Sequence, residues 1–114
     1  MYNSAFISKS ESHLVASSAT PALGVQVSPM EQFQGSNAGV YRIHNTGSVI
    51  VHLGVGGTDA EAQARAVAPT AGTPQRSVAI APGAVELLSF PKDSYFSGFS
   101  SSGSTLFITA GEGQ

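Results

Sequence analysis

The stretch that decides the fold reads Val40-Tyr41-Arg42-Ile43-His44-Asn45-Thr46-Gly47-Ser48-Val49-Ile50-Val51-His52-Leu53. Apolar and polar residues alternate through most of it, and this period of two is typical of strands with one buried face. A three-residue loop at 45–47 would join the two halves as a hairpin in which His44 lies opposite Ser48. Gly47 would then take the left-handed conformation of a G1 bulge.

This register is favoured because it gives one wholly apolar face. That face collects Tyr41, Ile43, Val49, Val51 and Leu53, while Arg42, His44 and His52 lie on the other. A loop of two or four residues would mix Arg42 and His44 with the valines, since a one-residue slip reverses every side chain.

Similar short runs continue in both directions along the chain. They predict strands near 12–17, 22–28, 38–44, 48–53, 77–81, 84–90, 94–99 and 104–109, a spacing typical of sandwiches and barrels. The segment Ala81-Pro82-Gly83-Ala84 predicts a type II turn, which gives a hairpin or a tight corner. We therefore expect an all-β fold, a single-domain antiparallel β-sandwich that is jelly-roll-like.

One short helical turn is expected near 58–66, where Thr58 and Glu61 have the spacing of a capping box. It belongs to a long loop at 54–76, and long loops in compact domains tend to be functional or disordered. The predicted organisation is an N-terminal arm at 1–11 followed by a single β-domain at 12–114.

Composition narrows the classes of function. The 114 residues include no cysteine, which excludes disulfides and cysteine-bound metals. Five basic against seven acidic residues leave no basic stripe for nucleic acid. No run approaches the ~20 apolar residues of a membrane-spanning helix, and residues 1–8 lack the pattern of a secretory signal.

The residues that could carry chemistry are dispersed. In the predicted hairpin His44 and His52 are too far apart to share a metal, and the serines lie in no nucleophile motif. The run Gly54-Val55-Gly56-Gly57 lacks the other residues of a phosphate-binding loop, so it predicts a flexible strand exit. The seven carboxylates form no close pair of the kind that cleaves glycosides. We expect no catalytic residue, metal, cofactor or small-molecule substrate, and no enzyme.

Two features suggest binding instead. Phe6 and Ile7 are an apolar pair in the predicted arm that either frays or docks on a neighbouring subunit. Together with Arg42 and His52 they are the predicted interface residues. The aromatic group Tyr95, Phe96 and Phe99 favours core or interface, with a sugar-stacking platform as the alternative.

The stretch 40–54 resembles small virion proteins of tailed bacteriophages, as do the Ala-rich middle, the segment 80–88 and the ending 106–113. The resemblance implies a capsid decoration or cementing subunit that binds the outer shell and stabilises it. Its implied partners are the major capsid protein and further copies of itself, as dimer or trimer, in a virion assembled in the host cytoplasm. The alternatives are a head-to-tail or tail-associated virion β-domain and a carbohydrate-binding module, with a hydrolase well behind them.

Overall fold

A computed structural model of the chain describes residues 7–8, 13–27, 38–91 and 93–112. Within these ranges the strands are β1 (Ile7–Ser8), β2 (His13–Ser17), β3 (Val25–Gln26), β4 (Ala38–Asn45), β5 (Val51–Gly56), β6 (Val78–Ile80), β7 (Val85–Pro91), β8 (Tyr95–Phe99) and β9 (Ser104–Glu112). A single helix in the same ranges, α1 (Asp59–Arg65), lies between β5 and β6.

The strands form two antiparallel sheets. The first has the order β1-β9-β4-β7, with β2 also paired to β9 on the side that β1 uses. The second has the order β3-β8-β5-β6. The prediction of an antiparallel β-sandwich is therefore confirmed.

The pairings are nested in the manner of a jelly roll. β5 pairs with β6, β4 with β7, β3 with β8 and β2 with β9, so the chain doubles back on itself about the segment that contains α1. The pairs β4–β7 and β2–β9 lie in the first sheet, and the pairs β5–β6 and β3–β8 lie in the second. Within each sheet the two pairs are joined, by β4 with β9 in the first and by β5 with β8 in the second. Two sheets with this order are the arrangement of a jelly roll, as the sequence predicted.

The predicted hairpin between 40–44 and 48–53 is wrong. β4 pairs with β7 and β9, whereas β5 pairs with β6 and β8, so residues 46–50 cross from the first sheet to the second. The predicted faces are nevertheless correct for Tyr41, Ile43, Val51 and Leu53, which are all fully buried. Two strands in facing sheets present the same alternation as two strands of one hairpin, so periodicity alone could not separate the two arrangements.

The polar residues of the predicted hairpin do not share one face. Val49 is half-buried because it lies in the crossing segment, and Arg42 and His44 lie on the outside of the first sheet. His52 lies on the outside of the second sheet, on the far side of the sandwich. The three polar residues expected on one face therefore occupy two opposite faces.

Asn45, at the end of β4, organises the crossing between the sheets. Its side-chain amide donates to the carbonyl oxygens of Val49 (2.9 Å) and Ile80 (3.0 Å). Its side-chain oxygen accepts from the Gly47 N–H and the Ser104 hydroxyl, both at 3.0 Å. All the hydrogen-bonding capacity of this fully buried amide is thus used.

Gly47 does not have the predicted left-handed conformation. The glycines with positive φ in the described ranges are Gly72 and Gly83. At position 47 a Cβ atom would lie 1.8 Å from the Ser104 Oγ, so glycine is required by close approach and not by the backbone angle.

The predicted type II turn at 81–84 is present, with Gly83 at φ 78° and an Ala84 N–H bond to the Ala81 carbonyl of 3.0 Å. It forms a corner that leads from β6 in the second sheet to β7 in the first. The predicted capping box is present in part. Thr58 accepts from the Glu61 N–H at 3.1 Å, but the Glu61 carboxylate accepts from the Gly57 N–H at 2.7 Å.

The core lies between the sheets and contains an aromatic cluster. The Tyr41 and Phe96 rings meet edge to face at 5.0 Å, and the Phe90 ring lies 5.8 Å from that of Phe96. The Tyr41 hydroxyl donates to the carbonyl oxygens of Val27 and Pro91 at 3.2 and 3.3 Å. Burial raises the pKa of the Tyr41 phenol above its ordinary value.

We expect Asn45→Ala to lower the free energy of unfolding by about 3–5 kcal/mol, because it leaves several buried groups without partners at about 1–3 kcal/mol each. Urea denaturation measures the change. The control is Ser48→Ala in the same crossing segment. Because this side chain is exposed, its loss should change the free energy of unfolding by less than about 0.5 kcal/mol. Equal stability of the two variants would contradict the role given to Asn45.

Ionisation of Tyr41 should lower the stability of the folded protein as the pH rises into the alkaline range. The phenol ionises in the unfolded chain near pH 10 and only at higher pH in the folded protein, so the unfolded state loses its proton first. The contribution of the protonated Tyr41 phenol to the free energy of unfolding is fully present below pH ~10 and is lost as the pH rises through the raised pKa of Tyr41. We expect Tyr41→Phe to be about 1 kcal/mol less stable at pH 7 and to lose less stability between pH 9 and 11. Parallel pH profiles of wild type and variant, followed by denaturation, would contradict this.

Candidate functional site

Helix α1 packs directly on the backbone of β5, on the outside of the second sheet. A Cβ atom at Gly54 would lie 2.3 Å from the Ala62 carbonyl oxygen and 2.4 Å from the Ala66 nitrogen. One at Gly56 would lie 2.8 Å from the Ala62 nitrogen. The expectation of a flexible strand exit at 54–57 is therefore corrected, because Gly54 and Gly56 belong to β5 and provide the surface on which the helix lies.

The placement of α1 creates a cleft of about 620 Å³ beside β6 and β7, the edge strands of the two sheets. Its apolar lining comes from both sheets and consists of Val55, Val78, Phe90 and Pro91. Its polar lining comes from α1, the loops and the starts and ends of strands, and consists of Gln26, Glu61, Arg65, Arg76, Asp93, Ser94 and Tyr95.

Hydrogen bonds hold part of this polar lining in place. The Arg65 guanidinium donates to the Val55 carbonyl at 2.9 Å and lies 3.4 Å from the Glu61 carboxylate. The Gln26 amide donates to the Asp93 carbonyl at 3.2 Å, and Asp93 itself has a positive φ of 65°. A residue other than glycine in this conformation is uncommon, although aspartate tolerates it better than most. Such backbone strain is often found at ligand-binding sites.

Two charged groups of the cleft are left for a ligand. Within the described ranges no hydrogen bond or ion pair engages the Arg76 guanidinium or the Asp93 carboxylate, and both residues are exposed. Glu61 and Arg65, in contrast, already neutralise each other.

A second candidate site is the outside of the first sheet. Register places Leu14, Phe107, His44 and Val85 in one row across β2, β9, β4 and β7, and Arg42 lies beside Leu87 in the adjacent row. These six residues are called the first-sheet outer face.

This face concentrates exposed apolar surface. Leu14, Val85, Leu87 and Phe107 are four of the eight large hydrophobic side chains exposed in the described residues. None of the described residues that point outward from this sheet is acidic, so Arg42 has no carboxylate beside it there. Exposed apolar side chains gathered on one face in this way are typical of interaction sites.

The predicted interface residues do not form one surface. Arg42 lies on the first-sheet outer face, whereas His52 lies on the outside of the second sheet with its ring 6.2 Å from that of Phe99. Ile7 lies in β1, whose backbone pairs with the chain's own β9, so this part of the predicted arm joins the sheet. Phe6 lies outside the described residues.

Sequence reasoning missed the apolar members of the first-sheet outer face. Leu87 and Phe107 lie in runs whose hydrophobicity indicates a core, and the alternation around them is interrupted. Only the pairing of Leu87 with Arg42 and of Phe107 with His44 shows that they point outward.

The proposed sugar-stacking platform is dispersed. Phe96 is buried in the core, Phe99 lies against His52, and Tyr95 lines the cleft. Among the described residues, no group of three or more His, Asp or Glu side chains is placed to hold a metal. In the same part of the chain, α1 falls well short of the length needed to cross a membrane.

Comparison of the chain with models of known families, with curated proteins and with solved structures finds no match. No site residue can therefore be transferred from a relative.

Gly54→Ala should displace α1, because the new methyl group would collide with backbone atoms that cannot move independently. We expect a loss of about 1–3 kcal/mol in the free energy of unfolding, the usual cost of overpacking. Gly103→Ala is the matched control, since nothing lies within 4 Å of its added Cβ and its φ is not positive. Denaturation curves of the two variants that coincide would contradict direct packing of α1 on β5.

Proposed function

We propose that this chain is a viral structural protein, a capsid decoration or cementing subunit, which binds the outer capsid shell through its first-sheet outer face. The observation that carries the proposal is the row Leu14–Phe107–His44–Val85, whose three apolar members are exposed, with Arg42 and Leu87 beside it. Burial of the half-exposed Leu14 or Leu87 side chain there would contribute about 1 kcal/mol to binding.

The charge of this face favours a partner of a different kind over a second copy. A two-fold contact through the face would bring two Arg42 side chains together without a neighbouring carboxylate. A shell surface with acidic residues around an apolar patch would satisfy both the Arg42 guanidinium and the apolar row.

The size of the face favours attachment in many copies. It spans four strands about 4.8 Å apart and is roughly 15 Å across, so its area is on the order of 200 Å². This area is well below the ~800 Å² that each partner contributes to a standard interface. One copy alone would bind weakly. Copies joined to one another would bind far more tightly, because each attached copy raises the effective concentration of the next.

Self-association as a dimer or trimer is part of the proposal. β7 is an edge strand of seven residues with five exposed positions, and such edges are sites at which strands of another copy can pair. Contact through this edge would leave the centre of the first-sheet outer face free for the shell.

A tail-associated virion domain is the second candidate within the same class, and the resemblance supports both. Immunogold labelling of virions separates them, since a decoration subunit covers the shell and a tail component marks one vertex or the tail. The absence of label from particles would overturn both.

Leu87→Asp and Arg42→Glu are expected to weaken co-sedimentation with shells that lack the protein by about tenfold or more, which corresponds to about 1.4 kcal/mol. Leu23→Asp is the control, because Leu23 is 54% exposed but lies outside the first-sheet outer face. Light scattering of the free protein measures the proposed self-association in the same samples. Equal binding by all three variants would exclude this face as the docking surface.

A further inference from the structure

The cleft beside α1 is separate from the first-sheet outer face and is not needed for docking on a shell. Its volume of about 620 Å³ lies within the ~300–1,000 Å³ range of small-molecule sites. It combines an apolar lining with a small number of polar groups, which is the usual composition of such sites.

We propose that this cleft binds a neutral carbohydrate. A sugar ring has an apolar face of C–H groups and a rim of hydroxyls that both donate and accept hydrogen bonds. The apolar face can lie over Val55, Val78 and Phe90, while the Tyr95 ring lines the same space and offers a hydroxyl.

The unengaged polar groups match neighbouring sugar hydroxyls. The Arg76 guanidinium can donate to one hydroxyl oxygen, and the Asp93 carboxylate can accept from another. Hydrogen bonds to charged groups are stronger than neutral ones, so two such contacts give both affinity and orientation.

The charge balance of the cleft selects against ligands that carry a net charge. Glu61 and Arg65 form an ion pair, and Arg76 and Asp93 contribute one charge of each sign. A phosphate or a polyanion would meet the Asp93 carboxylate as well as the Arg76 guanidinium. A neutral polyhydroxylated ligand can use both groups.

Hydrogen bonds and close packing hold the walls of the cleft in fixed positions. Arg65 is fixed by the Val55 carbonyl, Gln26 holds the Asp93 carbonyl, and the close contact of α1 with Gly54 fixes the helical side of the cleft. A site with fixed geometry loses little conformational entropy on binding.

The test titrates the full chain with glucose, galactose, mannose, N-acetylglucosamine, lactose and cellobiose, followed by NMR chemical-shift changes, with inorganic phosphate as the ionic probe. We expect saturable binding of at least one sugar, with shifts at Val55, Phe90 and Tyr95. Arg76→Ala and Asp93→Asn should each weaken it by tenfold or more, and asparagine keeps the tolerance for the positive φ at position 93.

Arg42→Ala, on the first-sheet outer face, is the matched control and should change the affinity by less than twofold. Arg76 lies on an exposed loop, so Arg76→Ala decides the question if Asp93→Asn does not fold. No saturable shift with any of the six sugars, affinities unaffected by the cleft variants, or tighter binding of phosphate than of every sugar would each overturn the proposal. None of these outcomes depends on attachment to a shell.

Discussion

The fully buried side chain of Asn45 lies where the chain crosses from the first sheet to the second, and it links the end of β4 to three other segments there. It bonds to Gly47 and Val49 in the crossing segment, to Ile80 at the end of β6 and to Ser104 at the start of β9. Its backbone adds bonds to Gly83 and Ala84 in the corner that follows β6. A buried amide is favourable only when every donor and acceptor is engaged, so this network requires all these segments to be in place together.

The two faces of β5 show how one strand can serve two packing surfaces. Its inward residues Val51 and Leu53 fill the core between the sheets, while outward Gly54 and Gly56 leave room for the backbone of α1. Because the helix lies so close, its residues Glu61 and Arg65 reach the cleft beside the edge strands β6 and β7. The cleft is thus a consequence of glycines that carry no chemistry themselves.

The proposed docking face and the cleft use different parts of the sandwich. Arg42 and Leu87 lie on the outside of the first sheet, whereas Arg76 and Tyr95 line the cleft by the second sheet. A shell bound to the outside of the first sheet would therefore not cover the cleft, although Phe90 and Pro91 at the end of β7 line it beside the edge proposed for self-association. The two proposed binding functions can be tested by separate surface substitutions that leave the core unchanged.

Local periodicity and short motifs predicted most of the strands, the burial of Tyr41, Ile43, Val51 and Leu53, the turn at 81–84 and the start of the helix at Thr58. Two predictions differ from the structure: β1 lies in the segment expected to be an arm, and the strand expected at 48–53 lies at Val51–Gly56. The sequence could also place Arg42 outside the core. The assignment of β4 and β5 to different sheets follows only from the three-dimensional pairing, since a strand exposes the same pattern whether its partner lies beside it or across the core. The proposed docking face and the cleft could not be predicted for the same reason. The docking residues Leu14, Leu87 and Phe107 are far apart in the chain and share a face only through pairings between distant strands. The cleft that contains Arg76 and Asp93 forms only when α1 packs on the glycines of β5.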